Sequence, residues 1–207
     1  VATSAYGSVS LIDDDPLLWS TPALWGGSPQ PPTFAGWKLA RDLITLTKSC
    51  SALVRSAFKL DDAEVDGEVR VDSGECVYVI LRSDVVVKFH LGPVRGSGGN
   101  LNVKIGYDNL RTSTLFCRVP EIEPHRWYTF RVALTGQSLR ILFNGAEALN
   151  TTIVRDPRLS GSRVARSGHF GFGGTSSVGA FRNVRLAALS VPGRNAVPRL
   201  RVPSAYH

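Results

Sequence analysis

Methionine is absent from the 207 residues, and no stretch approaches the ~18 consecutive apolar residues that a membrane-spanning helix needs. The missing initiator implies that Val1 is a processed or trimmed start. No charged segment followed by an apolar run opens the chain, so any signal peptide is expected to have been removed. Cysteine is scarce. Cys50, Cys76 and Cys117 are an odd number without CxxC spacing, which excludes zinc-ribbon and thioredoxin-type motifs. One disulfide with a free thiol and three buried thiols both stay open, and a chain of this length needs no disulfide framework. His90, His125, His169 and His207 are scattered and imply no metal site. Nucleophile elbow, P-loop, HExxH and Rossmann fingerprints are also missing.

Dense runs of one charge are missing as well. Twenty-four Lys+Arg against seventeen Asp+Glu give a net charge of +7, yet no short window is rich in Lys and Arg. Arg155, Arg158, Arg163 and Arg166 read as a loop, and Arg194, Arg199 and Arg201 sit in a Pro-punctuated tail. Aromatic platforms interleaved with basic residues are lacking, so nucleic acid is not an expected partner. The basic surface fits a glycan or a protein neighbour instead. Asn150-Thr151-Thr152 is an acceptor sequon, meaningful on a eukaryotic secretory route.

Period-2 alternation is what the chain has in plenty. It runs through residues 64–71, 77–82, 85–91, 101–107, 115–119, 127–134, 138–143, 168–172 and 180–189, with Gly, Ser and Asn between the runs. Asn144-Gly145 between two apolar runs predicts a tight hairpin, because both turn positions call for positive φ. Short strands at this spacing predict an all-β fold, an antiparallel two-sheet β-sandwich. Residues 1–33 form a Pro-rich segment expected to wrap the sandwich at 34–190, and residues 191–207 form a basic arm.

Three stretches carry a resemblance. They are His125-Arg126-Trp127-Tyr128-Thr129-Phe130-Arg131-Val132 followed by 138–145; Gly168-His169-Phe170-Gly171-Phe172 leading to Phe181-Arg182-Asn183-Val184-Arg185-Leu186; and Gly36-Trp37-Lys38-Leu39 with Phe58-Lys59-Leu60. Together they resemble the concanavalin A-like jelly-roll superfamily, most closely its laminin G-like and 3-keto-disaccharide hydrolase-like branches, over residues 34–189. The resemblance implies a concanavalin A-like jelly roll, with Trp127 and Phe181 in the core and Gly168 and Gly171 at close approaches. Lectins, hydrolases, lyases and protein-binding modules share that scaffold, so function is argued from the site.

Glu64, Asp66 and Glu68 alternate along one strand and therefore share a face. Licheninase-type retaining glycosidases of the superfamily use an E-x-D-x-E strand of this spacing, which makes the three residues a candidate catalytic set. Gly67 in place of an apolar residue and Arg70 on the same face argue for a solvated strand. A second candidate is a lectin-like concave face presenting Glu68, Arg70, Tyr78, Arg82, Lys88, His90, Asn102 and Lys104, whose donors and aromatic ring suit sugar hydroxyls and ring faces. Calcium is common in laminin G-like domains. Asp13-Asp14-Asp15 and Asp61-Asp62 are the acidic runs that would offer ligands, but no motif supports a bound ion.

Three functions follow as expectations. The first is a non-catalytic lectin-like module for glycan or protein. The second is a carbohydrate-active hydrolase or lyase using Glu64, Asp66 and Glu68. The third is a structural subunit docked through Arg194, Arg199 and Arg201. A secreted or extracellular setting accords with the resemblance.

Overall fold

The computed structural model describes residues 36–47, 61–94, 99–106, 113–159 and 162–188, and the backbone of three strands before residue 56. The fold is two antiparallel sheets. The first takes the order β13(Ala146–Thr152)-β12(Ser138–Phe143)-β11(Trp127–Thr135)-β6(Ala63–Ser73)-β15(Val178–Ala188)-β4(Leu43–Leu46)-β3(Trp37–Ala40), and β1(Val9–Ser10) also pairs with β15. The second is β10(Ser113–Cys117)-β9(Leu101–Ile105)-β8(Val85–His90)-β7(Cys76–Leu81)-β14(Gly171–Thr175)-β5(Cys50–Arg55)-β2(Trp19–Ser20). Val9–Ser10 and Trp19–Ser20 thus tie the N-terminal segment to one sheet each. Phe58-Lys59-Leu60, Asp13-Asp14-Asp15 and the arm 191–207 lie outside the described residues.

Alternation decides which side chains enter the core. Along β6 every second residue from Ala63 to Val71 is buried, and Glu64, Asp66, Glu68, Arg70 and Asp72 take the outer face. Gly67 falls on the inner face. A Cβ there would lie 2.8 Å from Val184 Cγ2 and 3.2 Å from Phe130 Cζ, so the glycine makes room for those two side chains. Phe130 sits between Phe89 (5.5 Å between ring centroids) and Phe181 (6.4 Å), in an aromatic layer that also includes Phe143 and Phe172. The Asn144-Gly145 hairpin forms as expected, with φ of 49° and 77°.

Trp127 corrects the expectation that it fills the core. It pairs with Arg70 across β11 and β6 and shares its outer face, while its neighbour Tyr128 is the buried residue. The chain changes sheets between β6 and β7 and again between β14 and β15. Gly74 (φ 90°) sits where these two passages meet, and a Cβ there would overlap the Ser176 carbonyl oxygen.

Candidate functional site

The expected groove residues divide between three places. Glu64, Asp66, Glu68 and Arg70 lie on the outer face of the first sheet, where Arg131, Arg182 and Arg185 of the flanking strands stand beside the carboxylates. Arg182 grips Glu68 with both arms of its fork, Nε–Oε2 2.8 Å and Nη2–Oε1 3.0 Å, and Asn183 donates a third hydrogen bond at 2.9 Å. Glu64 meets Arg131 at 3.5 Å, and Asp66 stands opposite Arg131 and Arg185 in the strand register. Arg70 donates Nη2–H to Asp72 at 3.0 Å; its Nε is 2.8 Å from the same carboxylate but too poorly aligned for a hydrogen bond, so that contact is ion pairing alone. The guanidiniums of Arg182 and Arg70 stand over the Trp127 ring, 4.1 and 4.9 Å from its centroid. This is a zipped ionic ladder rather than an open carboxylate pair.

The Arg182 hydrogen bonds hold the Glu68 carboxyl below its ordinary 4.5. A depressed carboxylate stabilises the fold above its unfolded pKa and stops doing so as pH falls through the folded value. Glu68→Gln is therefore expected to unfold more easily than the parent at pH 7, by the ~0.2–1 kcal/mol of a surface ion pair. The difference should vanish in acid below the lowered pKa. Urea titrations of both proteins at a series of pH values from 7 downward measure it.

Arg82 corrects the expectation that it faces the groove. Its turn, Arg82-Ser83, takes positive φ at both residues (50° and 59°), and its side chain is 1% exposed. All five guanidinium N–H groups are used. Nε–H donates to the Asp61 carbonyl (2.8 Å), Nη1 to the Gly136 and Ala165 carbonyls (2.9 and 3.3 Å), and Nη2 to Asp62 Oδ1 and the Leu134 carbonyl (2.6 and 3.0 Å). Asp62 Oδ1 also accepts the Gly136 amide at 2.7 Å, so this acidic run is committed to a cation of the protein itself. Gly168 packs on the same turn, and a Cβ there would overlap the Arg82 carbonyl.

Tyr78, Lys88, His90, Asn102 and Lys104 do come together. They lie on the outer face of the second sheet, where the register aligns Tyr78 with Lys88 and Lys88 with Asn102, and sets Lys104 opposite Val86. Gly173 on β14 is the neighbour of Tyr78, and the phenol ring occupies the space a Cβ would need. The Lys88 ammonium stands 5.4 Å from the Tyr78 ring centroid. Asn102 Nδ2–H donates to His90 Nε2 at 2.9 Å. Asn102 is 4% exposed, and its Oδ1 has no hydrogen-bond partner. Burial, reinforced by the charges of Lys88 and Lys104, keeps His90 below 6.5 and hence neutral at pH 7. Burial likewise lowers Lys104, with Lys88 adding to the effect. Phe116, 46% exposed, is opposite Asn102 on β10.

Sequence reasoning missed Glu75 and Cys76. The β7–β8 register sets Cys76 opposite His90, and Glu75, Cys76 and His90 each bring a ligand atom within 4.8 Å of the others. Cys76 and Cys117 are free, buried thiols, and burial pushes Cys117 up to about 11. The expected basic loop contains two single 3-10 turns, Ile153–Arg155 and Pro157–Leu159, and Asp156 binds Arg158 by Oδ1–Nε (2.9 Å) and Oδ2–Nη2 (2.6 Å).

The sequence profile of the 3-keto-alpha-glucoside-1,2-lyase-like domain family matches residues 22–187. The chain belongs to this family. No curated protein matches the chain in sequence. The chain shares its concanavalin A-like jelly-roll fold with solved structures. A glycosyl hydrolase-like protein of Parabacteroides distasonis is 14% identical, with a TM-score of 0.58, covering 76% of this chain and 92% of its own. The carbohydrate-binding module CBM66 of Bacillus subtilis is also 14% identical (TM-score 0.55; 73% and 91% covered). The exoplasmic/lumenal domain of VIP36, in a form bound to Ca2+ and Man3GlcNAc, is 14% identical (TM-score 0.52; 75% and 82% covered). At these identities the likeness concerns the fold.

Proposed function

We propose that the domain is a non-catalytic, lectin-like module that binds carbohydrate on the outer face of the second sheet, through Tyr78, Lys88, His90, Asn102 and Lys104. The observation that carries the reading is the unpartnered Asn102 Oδ1, an acceptor buried outside the core beside polar neighbours. A buried acceptor without a donor costs free energy, and a sugar hydroxyl supplies the donor. Lys88 and the partly exposed Lys104 offer donors to the sugar's hydroxyls. The names of CBM66 and VIP36 support the same ligand class. They also accord with an extracellular or luminal setting.

A hydrolase or lyase working through Glu64, Asp66 and Glu68 draws support from the family's name but not from these residues. Glu68 is clamped by Arg182 and Asn183, and Glu64 faces Arg131. A general acid needs a carboxyl with a raised pKa, and Glu68 moves the other way.

A glycan array followed by calorimetry on the best hit tests the proposal. Losing one buried hydrogen bond to the sugar, about 1–3 kcal/mol, predicts binding about 5- to 150-fold weaker in Asn102→Ala and Lys88→Gln. Glu64→Gln should leave binding unchanged. A blank array from folded protein, or unaltered affinity in both groove variants, would overturn the reading.

A further inference from the structure

The corner that leads from β6 into β7 delivers three different donor types to one spot. Cys76 begins β7, its cross-strand partner His90 ends β8, and Glu75 precedes Cys76 on the exposed side of the turn. A carboxylate oxygen, a sulfur and an imidazole nitrogen lie within 4.8 Å of one another. We propose that Glu75, Cys76 and His90 bind a borderline-soft divalent cation of the zinc class, with a fourth coordination position left open.

The spacing is close to what such an ion requires. Metal bonds of ~2.0–2.3 Å at tetrahedral angles put ligand atoms roughly 3.3–3.8 Å apart, so about 1 Å of closure completes the set. Cys76 and His90 are fixed by the sheet, and the exposed Glu75 is free to supply the movement by changing rotamer. The donor chemistry selects the ion. Sulfur is a poor ligand for calcium or magnesium, whereas a mixed S, N and O set suits zinc, cobalt or nickel. Three protein ligands and an open position are also the pattern of reactive rather than purely structural zinc sites.

On binding, the S–H proton leaves to solvent as the S–metal bond forms, and the thiolate and the Glu75 carboxylate together balance a 2+ ion. Lys88 and Lys104 both act on the cluster and oppose a neighbouring cation, so the two negative ligands are set against two positive side chains.

Asn102 supplies the outer shell. In the metal-free protein its Nδ2–H donates to His90 Nε2, so the neutral ring carries its proton on Nδ1. Metal binding at Nδ1 moves that proton to Nε2, and half a turn of the amide brings Oδ1 onto it, so the metal-bound state takes up the acceptor that a sugar hydroxyl would otherwise use.

Titrating the intact chain with Co2+ tests the site without any sugar, so a blank glycan array does not affect its outcome. The expected result is one Co2+ per chain with a thiolate-to-cobalt charge-transfer band in the near ultraviolet, displaced by Zn2+. The band should be absent in Cys76→Ser and retained in Cys117→Ser. His90→Gln should weaken binding by more than about 10-fold, a loss that outer-shell changes alone already cause. Glu75→Gln, at an exposed position, should weaken it similarly and keeps the test readable if Cys76→Ser does not fold. No band from the folded parent, a band that survives in Cys76→Ser, or unchanged affinity in Glu75→Gln would overturn the proposal.

Discussion

Arg82→Ala is expected to melt roughly 6–20 °C below the parent, from a loss of about 3–5 kcal/mol at ~2–4 °C per kcal/mol for a domain of this size. The alanine leaves four backbone carbonyls, of Asp61, Leu134, Gly136 and Ala165, without their side-chain donor. Asp62 loses its ion pair too, but its side chain is 43% exposed and rehydrates, so most of the loss comes from the carbonyls. Arg82→Lys should recover only part of the stability, since an ammonium has three donors in place of a planar fork of five. Differential scanning calorimetry of the three proteins decides the matter. If Arg82→Ala melts within about 2 °C of the parent, the guanidinium does not clamp these four segments.

The second large effect is expected at Phe130. Phe130→Ala should cost about 3–5 kcal/mol, the range for emptying an aromatic site in a packed core. Phe130 touches both the Phe89 and the Phe181 rings, so its removal opens the centre of the sandwich from both sheets. Gly67 makes the site unusual. Gly67→Ala alone should destabilise, because its methyl would press on Val184 and the Phe130 ring. In the double variant the methyl enters space that Phe130 has vacated, so the combined loss should be smaller than the two single losses added together. A double-mutant cycle in urea reads this directly, and strict additivity would refute the proposed packing.

Much of the architecture could be read from alternation alone, because each phase of apolar and polar residues in β6, β11 and β12 meets a real inner and outer face. Where the reading failed, the phase carried no contrast. At Trp127-Tyr128 two aromatics sit side by side, and which one turns inward depends on the register with Arg70. β13, Ala-Glu-Ala-Leu-Asn-Thr-Thr, has one strongly apolar residue and forms through the Asn144-Gly145 hairpin rather than through its own pattern. On the second sheet both faces are buried, with Cys76, Tyr78, Ile80 and Val86 forming a separate apolar cluster outside the main core. There alternation could not show that Tyr78, Lys88, His90 and Asn102 belong together while Glu68 and Arg70 lie on the opposite side of the sandwich.

Arg82 and the Glu75-Cys76-His90 group were hidden for a different reason. The acceptors of Arg82 lie 20 to 83 residues away in sequence, and Cys76 meets His90 only once the register of β7 and β8 is set. No local spacing encodes either arrangement.

The placement of β14 and β15 bears on how the protein is made. These strands span residues 171–188, yet they sit in the interior of the sheets, β14 between β7 and β5 and β15 between β6 and β4. A chain growing on the ribosome therefore carries two open slots, each flanked by unpaired backbone, until residue 188 has left the exit tunnel. Neither sheet can close from its earlier strands alone, and until residues 171–188 have emerged the nascent chain must avoid edge-to-edge association.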